Sequence, residues 1–194
     1  MDRKKVISGH TSETLFNELN HLHDLFSKAF KNQFDRSLPF SEEMFDRWER
    51  AKKLNFGEGT SVYDSAFIFG TVNVGKNCWI GPFTIVDGSG GLNIGDNCTI
   101  SAGTHIYTHD NVKKTLSGGK LPMEHAPVTI GTCTYIGPQC MVVKGITIGK
   151  HCLVASNSFV SRNLPDFSIA AGNPAKIIGK VVMKENSIEF EYTT

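Results

Sequence analysis

Residues 128–160 read VTIGTCTYIGPQCMVVKGITIGKHCLVASNSFV, and an aliphatic residue falls on every sixth position: Ile130, Ile136, Val142, Ile148, Val154 and Val160. Six is not a whole number of 3.6-residue turns, so a helix cannot keep these side chains on one face. Extended chain can, because six is even and alternate side chains share a face. The fourth residue after each ladder position has the same parity and should also point inward. It reads Thr134, Cys140, Ile146, Cys152 and Ser158, mostly small. One large and one small inward residue per six describe a narrow interior. The period predicts a parallel β-solenoid, in which the chain winds and stacks on itself.

Toward the N-terminus the same rhythm holds through Ile94, Ile100, Ile106 and Val112, and, after a slip of two residues, through Val62, Ile68, Val74, Ile80 and Val86. The small slot there reads Ala66, Val72, Cys78, Thr84, Cys98 and Thr104. The repeat therefore covers roughly residues 60–165. Four of the five cysteines occupy the small slot, and none forms a C-x-x-C pair. They read as buried small hydrophobes, which argues against a disulfide framework or a zinc ribbon. Glycine follows the aliphatic residue at Gly75, Gly81, Gly95, Gly131, Gly137 and Gly149. Its conformational freedom is expected to serve the corners of the coils.

The rhythm breaks at IYTHDNVKKTLSGGKLPMEHAP, residues 106–127. Two adjacent glycines, two prolines and many polar residues predict an extruded loop over residues 107–127. A loop on a rigid post is where function is usually placed. This one begins beside His109, and histidine titrates near neutral pH, as a general base must. Asp110 is next in the chain and could orient the imidazole. Asp87, in IVDGSGGLNIG at the other irregularity of the repeat, lies about one coil from His109. It either lines the same side or is a turn residue before Gly88. His105 reads as packed or exposed, His125 as a residue late in the loop that could touch substrate, and His151 as an outward, solvated position.

Before the solenoid, residues 11–34 place Leu15, Leu19, Leu22, Phe26, Phe30 and Phe34 at helical spacing. A second helix is predicted after Pro39, with Ser41 as its cap, Glu42 and Glu43 in its first turn, and Met44, Phe45, Trp48 and Ala51 on its apolar side. Such a segment could cover the open edge of the first coil. The domain reading is a helical segment over residues 1–56, the solenoid over 57–180 and a tail over 181–194. The chain has 194 residues, 20% charged, with a formal net charge of +1. That balance points away from a nucleic-acid partner. No apolar stretch is long enough for a signal peptide or a transmembrane helix, so a cytoplasmic protein is expected.

Three stretches together go beyond the bare period: IYTHDN at the break, the resumed coils from APVTIG onward, and FSIAAGNPAKIIGK at their end. In this order they resemble the hexapeptide-repeat acyltransferases. The closest resemblance is to the sugar O-acetyltransferases of the galactoside and maltose types and the enzymes that acetylate surface polysaccharides. The resemblance implies the left hand of the β-helix, which opposes the usual right-handed crossover. It implies acetyl-CoA as acyl donor, a sugar acceptor, no metal, and a homotrimer with sites between subunits. It places the catalytic base at His109. It places the donor along Ala155, Ser156 and Ser161, with Lys176 and Lys180 near its phosphates. The family's acceptor-binding asparagine has no counterpart here, since the matching stretch is Gly81-Pro82-Phe83. An amino-sugar N-acetyltransferase, a γ-carbonic anhydrase with three convergent histidines on zinc, and a non-catalytic β-helix stay open as alternatives.

Overall fold

The computed structural model describes residues 1–193. Residues 1–46 and the chain from Arg47 onward form two compact units.

In the second unit the sixfold rhythm becomes a stack of three-sided coils. One face stacks Ser61–Val62, Trp79–Ile80, Thr99–Ile100, Tyr135–Ile136 and Leu153–Val154 in parallel, and Ser168–Gly172 follows. A second face runs from Phe67–Val74 and Ile85–Ile94 to His105–Ile106, Met141–Val142 and Phe159–Val160. The third is made by the far halves of Phe67–Val74 and Ile85–Ile94, then Val128–Ile130 and Thr147–Ile148, with a bridge to Leu164. This is the left-handed parallel β-helix of hexapeptide repeats. Ile80, Ile100, Ile106, Ile136, Val142 and Val154 are fully buried along its axis.

The small slots do more than save space. Where the slot holds Cys, Ser or Thr, the side chain closes a corner by hydrogen bonding a backbone carbonyl, in several cases one coil on. The Cys98 thiol donates to the Gly131 carbonyl at 3.2 Å, Cys140 to Ala155 at 3.0 Å and Cys152 to Pro165 at 3.1 Å. Thr104 and Thr134 do the same toward Gly137 and Gly149, both at 2.9 Å. Serine, threonine and cysteine share the small size and the single donor that this bond needs, while Ala66, Val72 and Ile146 fill the slot without it.

The glycines have a different reason from the expected one. The left-handed corner residue comes two positions later, at Asn77, Phe83, Asn97, Cys133, Gln139, His151 and Asn157, with φ between 53° and 59°. The glycine after each ladder residue instead lies under the next coil. A Cβ on Gly137 would sit 2.7 Å from the backbone nitrogen of Ser156, and one on Gly131 2.5 Å from that of Lys150. Close approach, not backbone freedom, fixes glycine there. The corner role also explains why the fifth cysteine, Cys133, is exposed.

Val112 departs from the expected ladder. It is 54% exposed and begins a short helix, Val112–Leu116, outside the coils. The ladder therefore ends at Ile106 before the loop, and resumes in register. Asn93 pairs with Thr129 across the excursion, and Thr129 pairs in turn with Thr147.

In the first unit, Glu13–Phe34 is helical as expected. The predicted second helix is two. Phe40–Met44 starts directly after Pro39 with no side-chain cap and has Ser41 inside it, and Arg47–Lys53 is separate and belongs to the solenoid's unit. Ala51 packs into the solenoid core, while Arg50 reaches the carbonyls of Tyr63 and Ala66. Trp48 and Phe45 are exposed instead of forming an apolar side. At the other end, Ser168–Gly172 pairs with Ala175–Met183, which pairs with Ile188–Tyr192, both antiparallel. The tail thus supplies the edge strand of the first face.

Candidate functional site

Asp87 lies inside the strand Ile85–Ile94, not in a turn, and is 1% exposed. A buried carboxylate needs partners, and its own strand and the next coil supply them. One oxygen, Oδ2, accepts from the Thr108 backbone N–H at 2.7 Å, the Thr108 hydroxyl at 2.9 Å and the His109 Nδ1–H at 2.8 Å. The other, Oδ1, accepts from the Ser89 N–H at 3.0 Å and the Ser89 hydroxyl at 2.5 Å. Burial alone would raise the carboxyl's pKa. The hydrogen bonds from Ser89, Thr108 and His109 outweigh it and hold the group well below the usual carboxylate range.

That ionised state fixes the imidazole. A carboxylate can only accept, so the contact at 2.8 Å requires the proton on Nδ1 of His109. Nε2 is then left with its lone pair, the form a general base needs. The ring stands at the start of the loop, 31% exposed.

Asp110, the chain neighbour of His109, turns elsewhere. Its Oδ1 accepts from the Val112 N–H at 3.1 Å and its Oδ2 pairs with Lys144. The structure thus joins Asp87, not Asp110, to the His109 ring. The loop returns to its own base: His109–Asp110 pairs antiparallel with Glu124–His125, with His109 opposite His125 and Asp110 opposite Glu124. The two imidazoles stack at 5.8 Å. His105 lies on the second face, where its ring meets Tyr107, and His151 occupies a corner stacked on Phe167. Tyr107, His109, Asp110, Asn111, Met123, Val143 and Lys144 line a cleft of about 330 Å³.

None of the five residues expected to hold the donor lines this cleft within one chain, although Ser161 follows Val160, whose carbonyl accepts from the N–H of Val143 in the cleft wall. Ala155 has its N–H on the Ala170 carbonyl, and its own carbonyl accepts from Cys140 and Ser158, so its backbone is committed to the coil. Ser156 is exposed at the same corner and Ser161 is half-buried beyond the second face. Lys176 and Lys180 are exposed on the strand Ala175–Met183, opposite Ala171 and Ser168. Sequence reading missed Thr108, Ser89 and Lys144. Thr108 had a signal, as the residue preceding His109 in the T-H-D stretch; a lone lysine 34 positions after Asp110 had none.

Among the described residues, no three His, Cys, Asp or Glu side chains gather as a metal-holding group. None of the described helices is long and apolar enough to cross a membrane.

Residues 127–162 match the bacterial transferase hexapeptide family (six repeats), and residues 71–108 match the hexapeptide repeat of succinyl-transferase. Both matches are to hexapeptide repeats, the unit from which the coils are built. It is 36% identical over 123 residues to a provisionally named acetyltransferase of Saccharomyces cerevisiae, covering 58% of this chain and 61% of that one. It is 31% identical over 168 residues to mitochondrial γ-carbonic anhydrase 2 of Arabidopsis thaliana, covering 81% of this chain and 55% of that one. The chain therefore spans less than two thirds of either relative's length. In fold it is similar to a maltose O-acetyltransferase from Clostridium difficile 630, with a TM-score of 0.56, 21% identity and 91% of each chain covered.

Proposed function

We propose that this hexapeptide-repeat chain is an acetyltransferase that moves an acetyl group from acetyl-CoA to a hydroxyl of a sugar, with His109 as general base. The observation behind it is the contact between His109 and a buried, ionised Asp87 at the mouth of the loop. Acyl transfer from a thioester asks that the acceptor hydroxyl lose a proton as it attacks, and a thiolate leaves without acid help. Nε2 of His109 takes that proton, while Asp87 keeps the ring in one tautomer and offsets the charge it gains. The sugar as acceptor is supported by the maltose enzyme's likeness in fold and by a cleft that sets Tyr107 beside Asn111 and Asp110. An aromatic face and hydrogen-bonding side chains suit a polyhydroxylated ring. Acetyl-CoA is proposed to lie along the later coils, near Ser156 and Ser161, with Lys176 and Lys180 toward its phosphates. The active assembly is proposed to be a homotrimer, in which a neighbouring subunit completes the groove.

The likeness to the γ-carbonic anhydrase makes a zinc hydratase the second reading. That chemistry needs three imidazoles on one ion. The contact of His109 Nδ1 with Asp87 suits either chemistry, since a zinc-bound imidazole also donates its other N–H to a carboxylate. What favours acyl transfer is that, among the described residues, no three His, Cys, Asp or Glu side chains of one chain gather around a point.

The test is a screen of sugar acceptors for thiol release from acetyl-CoA, with metal analysis of the same sample. His109→Ala or His109→Asn is expected to lower turnover at least about a hundredfold while acetyl-CoA affinity stays within a small factor. Near-normal turnover in either variant would remove His109 from the mechanism. Stoichiometric zinc with carbon dioxide hydration would favour the second reading.

A further inference from the structure

The base of the loop is held from the side by a residue of the following coil. Lys144 comes just after the strand Met141–Val142. Its ammonium donates to Asp110 Oδ2 at 2.5 Å and lies 3.3 Å from Glu124 Oε2. Asp110 adjoins His109, Glu124 adjoins His125, and the two pairs face each other across a two-residue ladder. A single ammonium thus ties both strands of the loop base to the solenoid. Backbone bonds complete the junction: the Ala126 N–H donates to Thr108 at 2.9 Å and the Gly145 N–H to Ala126 at 3.3 Å. Lys113, on the loop's own helix, reaches the other oxygen of Glu124 at 2.6 Å.

An isolated surface ion pair contributes little. This one is a network of four charges, and the Lys144 side chain is only 24% exposed. The hydrogen bond to Asp110 pushes the Lys144 ammonium up, and Asp110 in turn is held below its ordinary range by Lys144. Glu124 is lowered by Lys113 first and Lys144 second. Beyond the junction the loop has Gly118 and Gly119 in left-handed conformations and mostly exposed side chains.

We propose that Lys144 is a positioning residue for His109. Asp87 holds the ring of His109, and Lys144 holds the backbone on which that ring is mounted, by pinning Asp110 and Glu124 against the coil. The catalytic half of this inference rests on the reading of His109 as base; the anchoring half does not.

The test compares Lys144→Met, Lys144→Arg and Glu124→Gln with the wild-type chain. Two readouts need no acetyl transfer: the rate of trypsin cleavage at Lys113, Lys114 and Lys120, and the imidazole NMR signals of His109. Two others need it: turnover and the KM for each substrate. In Lys144→Met the loop is expected to be cut about ten times faster. The His109 signals should shift or broaden, and kcat should fall about ten- to a hundredfold, as misplacement of a reacting group does. The acetyl-CoA KM and the melting temperature should stay near wild type. Lys144→Arg should restore most of each readout, because a guanidinium can bridge two carboxylates. Unaltered loop cleavage and kcat in Lys144→Met would overturn the proposal. So would a Lys144→Arg variant as impaired as Lys144→Met with a raised acceptor KM, since Lys144 would then be contacting substrate itself. Should Lys144→Met fail to fold, Glu124→Gln, which leaves Lys144 and Asp110 in place, carries the same test with a smaller expected effect. Wild-type cleavage and turnover there would also overturn the proposal. If the wild-type chain transfers no acetyl group, the cleavage rate and the imidazole signals still decide whether Lys144 anchors the loop. No change in them would sink that half as well.

Discussion

Asp87 shows how one buried carboxylate can serve stability and chemistry together. Its carboxyl ionises at lower pH in the folded chain than in the unfolded one. The resulting stabilisation is therefore fully present above about pH 4 and is lost as pH falls toward the lowered folded value. Asp87→Asn removes that proton linkage. Its urea midpoint is expected to depend less on pH below about pH 4 than that of the wild-type chain. An equal slope in the two proteins would mean that Asp87 is not among the groups that drive acid unfolding. The same variant frees Nδ1 from its fixed protonation state, so kcat should drop roughly 10²- to 10⁴-fold with little change in KM. Glycines offer a second prediction at this scale. Gly137→Ala places a methyl 2.7 Å from the Ser156 nitrogen and should cost roughly 2–4 kcal/mol in urea unfolding. Gln139→Gly, at a corner with φ of 57°, should stay within about 1 kcal/mol of wild type. If the two variants were equally stable, the close-approach account of the repeat glycine would fail.

Among the elements, the loop is the informative one. The strands on either side of it bury their own ladders, and the third face closes across it through Asn93 and Thr129. Replacing residues 111–127 with a short link is thus expected to leave a folded solenoid, because loop-closure cost changes slowly with length. Acetyl-CoA binding should persist while acetyl transfer is severely reduced. A shortened chain with normal acceptor KM and kcat would reduce the loop to decoration. The solenoid itself was legible because every inward position imposes one repeated demand on size, and the sequence repeats its answer. Val112 was misread because spacing alone cannot tell a ladder residue from the start of a loop helix. The small slot after Ile106 held the missing signal: it is Asp110, and a coil interior has no place for an unpaired carboxylate. His109 could be picked out at its break in the rhythm. Its partner was one of two candidate aspartates, because contacts between residues 22 positions apart depend on how coils align rather than on chain order. Lys144 was invisible for the same reason.

For the whole molecule, the proposed trimer needs a surface on which copies can meet, and the faces differ in what they offer. The second face presents Phe67, Ile85, His105, Met141 and Phe159 in one outward ladder, with Phe67 59% and Met141 40% exposed. The third face presents Asn73, Asn93, Thr129 and Thr147 instead. An apolar side beside a polar one marks where copies should meet. Light scattering is expected to give three times the 21.3 kDa of one chain. A fully active protein of one chain's mass would refute the trimer. The register across the loop has a further consequence. Thr99 pairs with Tyr135, and Tyr135 with Leu153, so the stack continues as though the intervening chain were absent. The post keeps no memory of how many residues left it. The excursion can accordingly be treated as an exchangeable cassette: grafts of other lengths, joined at Asp110 and Glu124, should alter which acceptor is taken while the scaffold's melting point stays put.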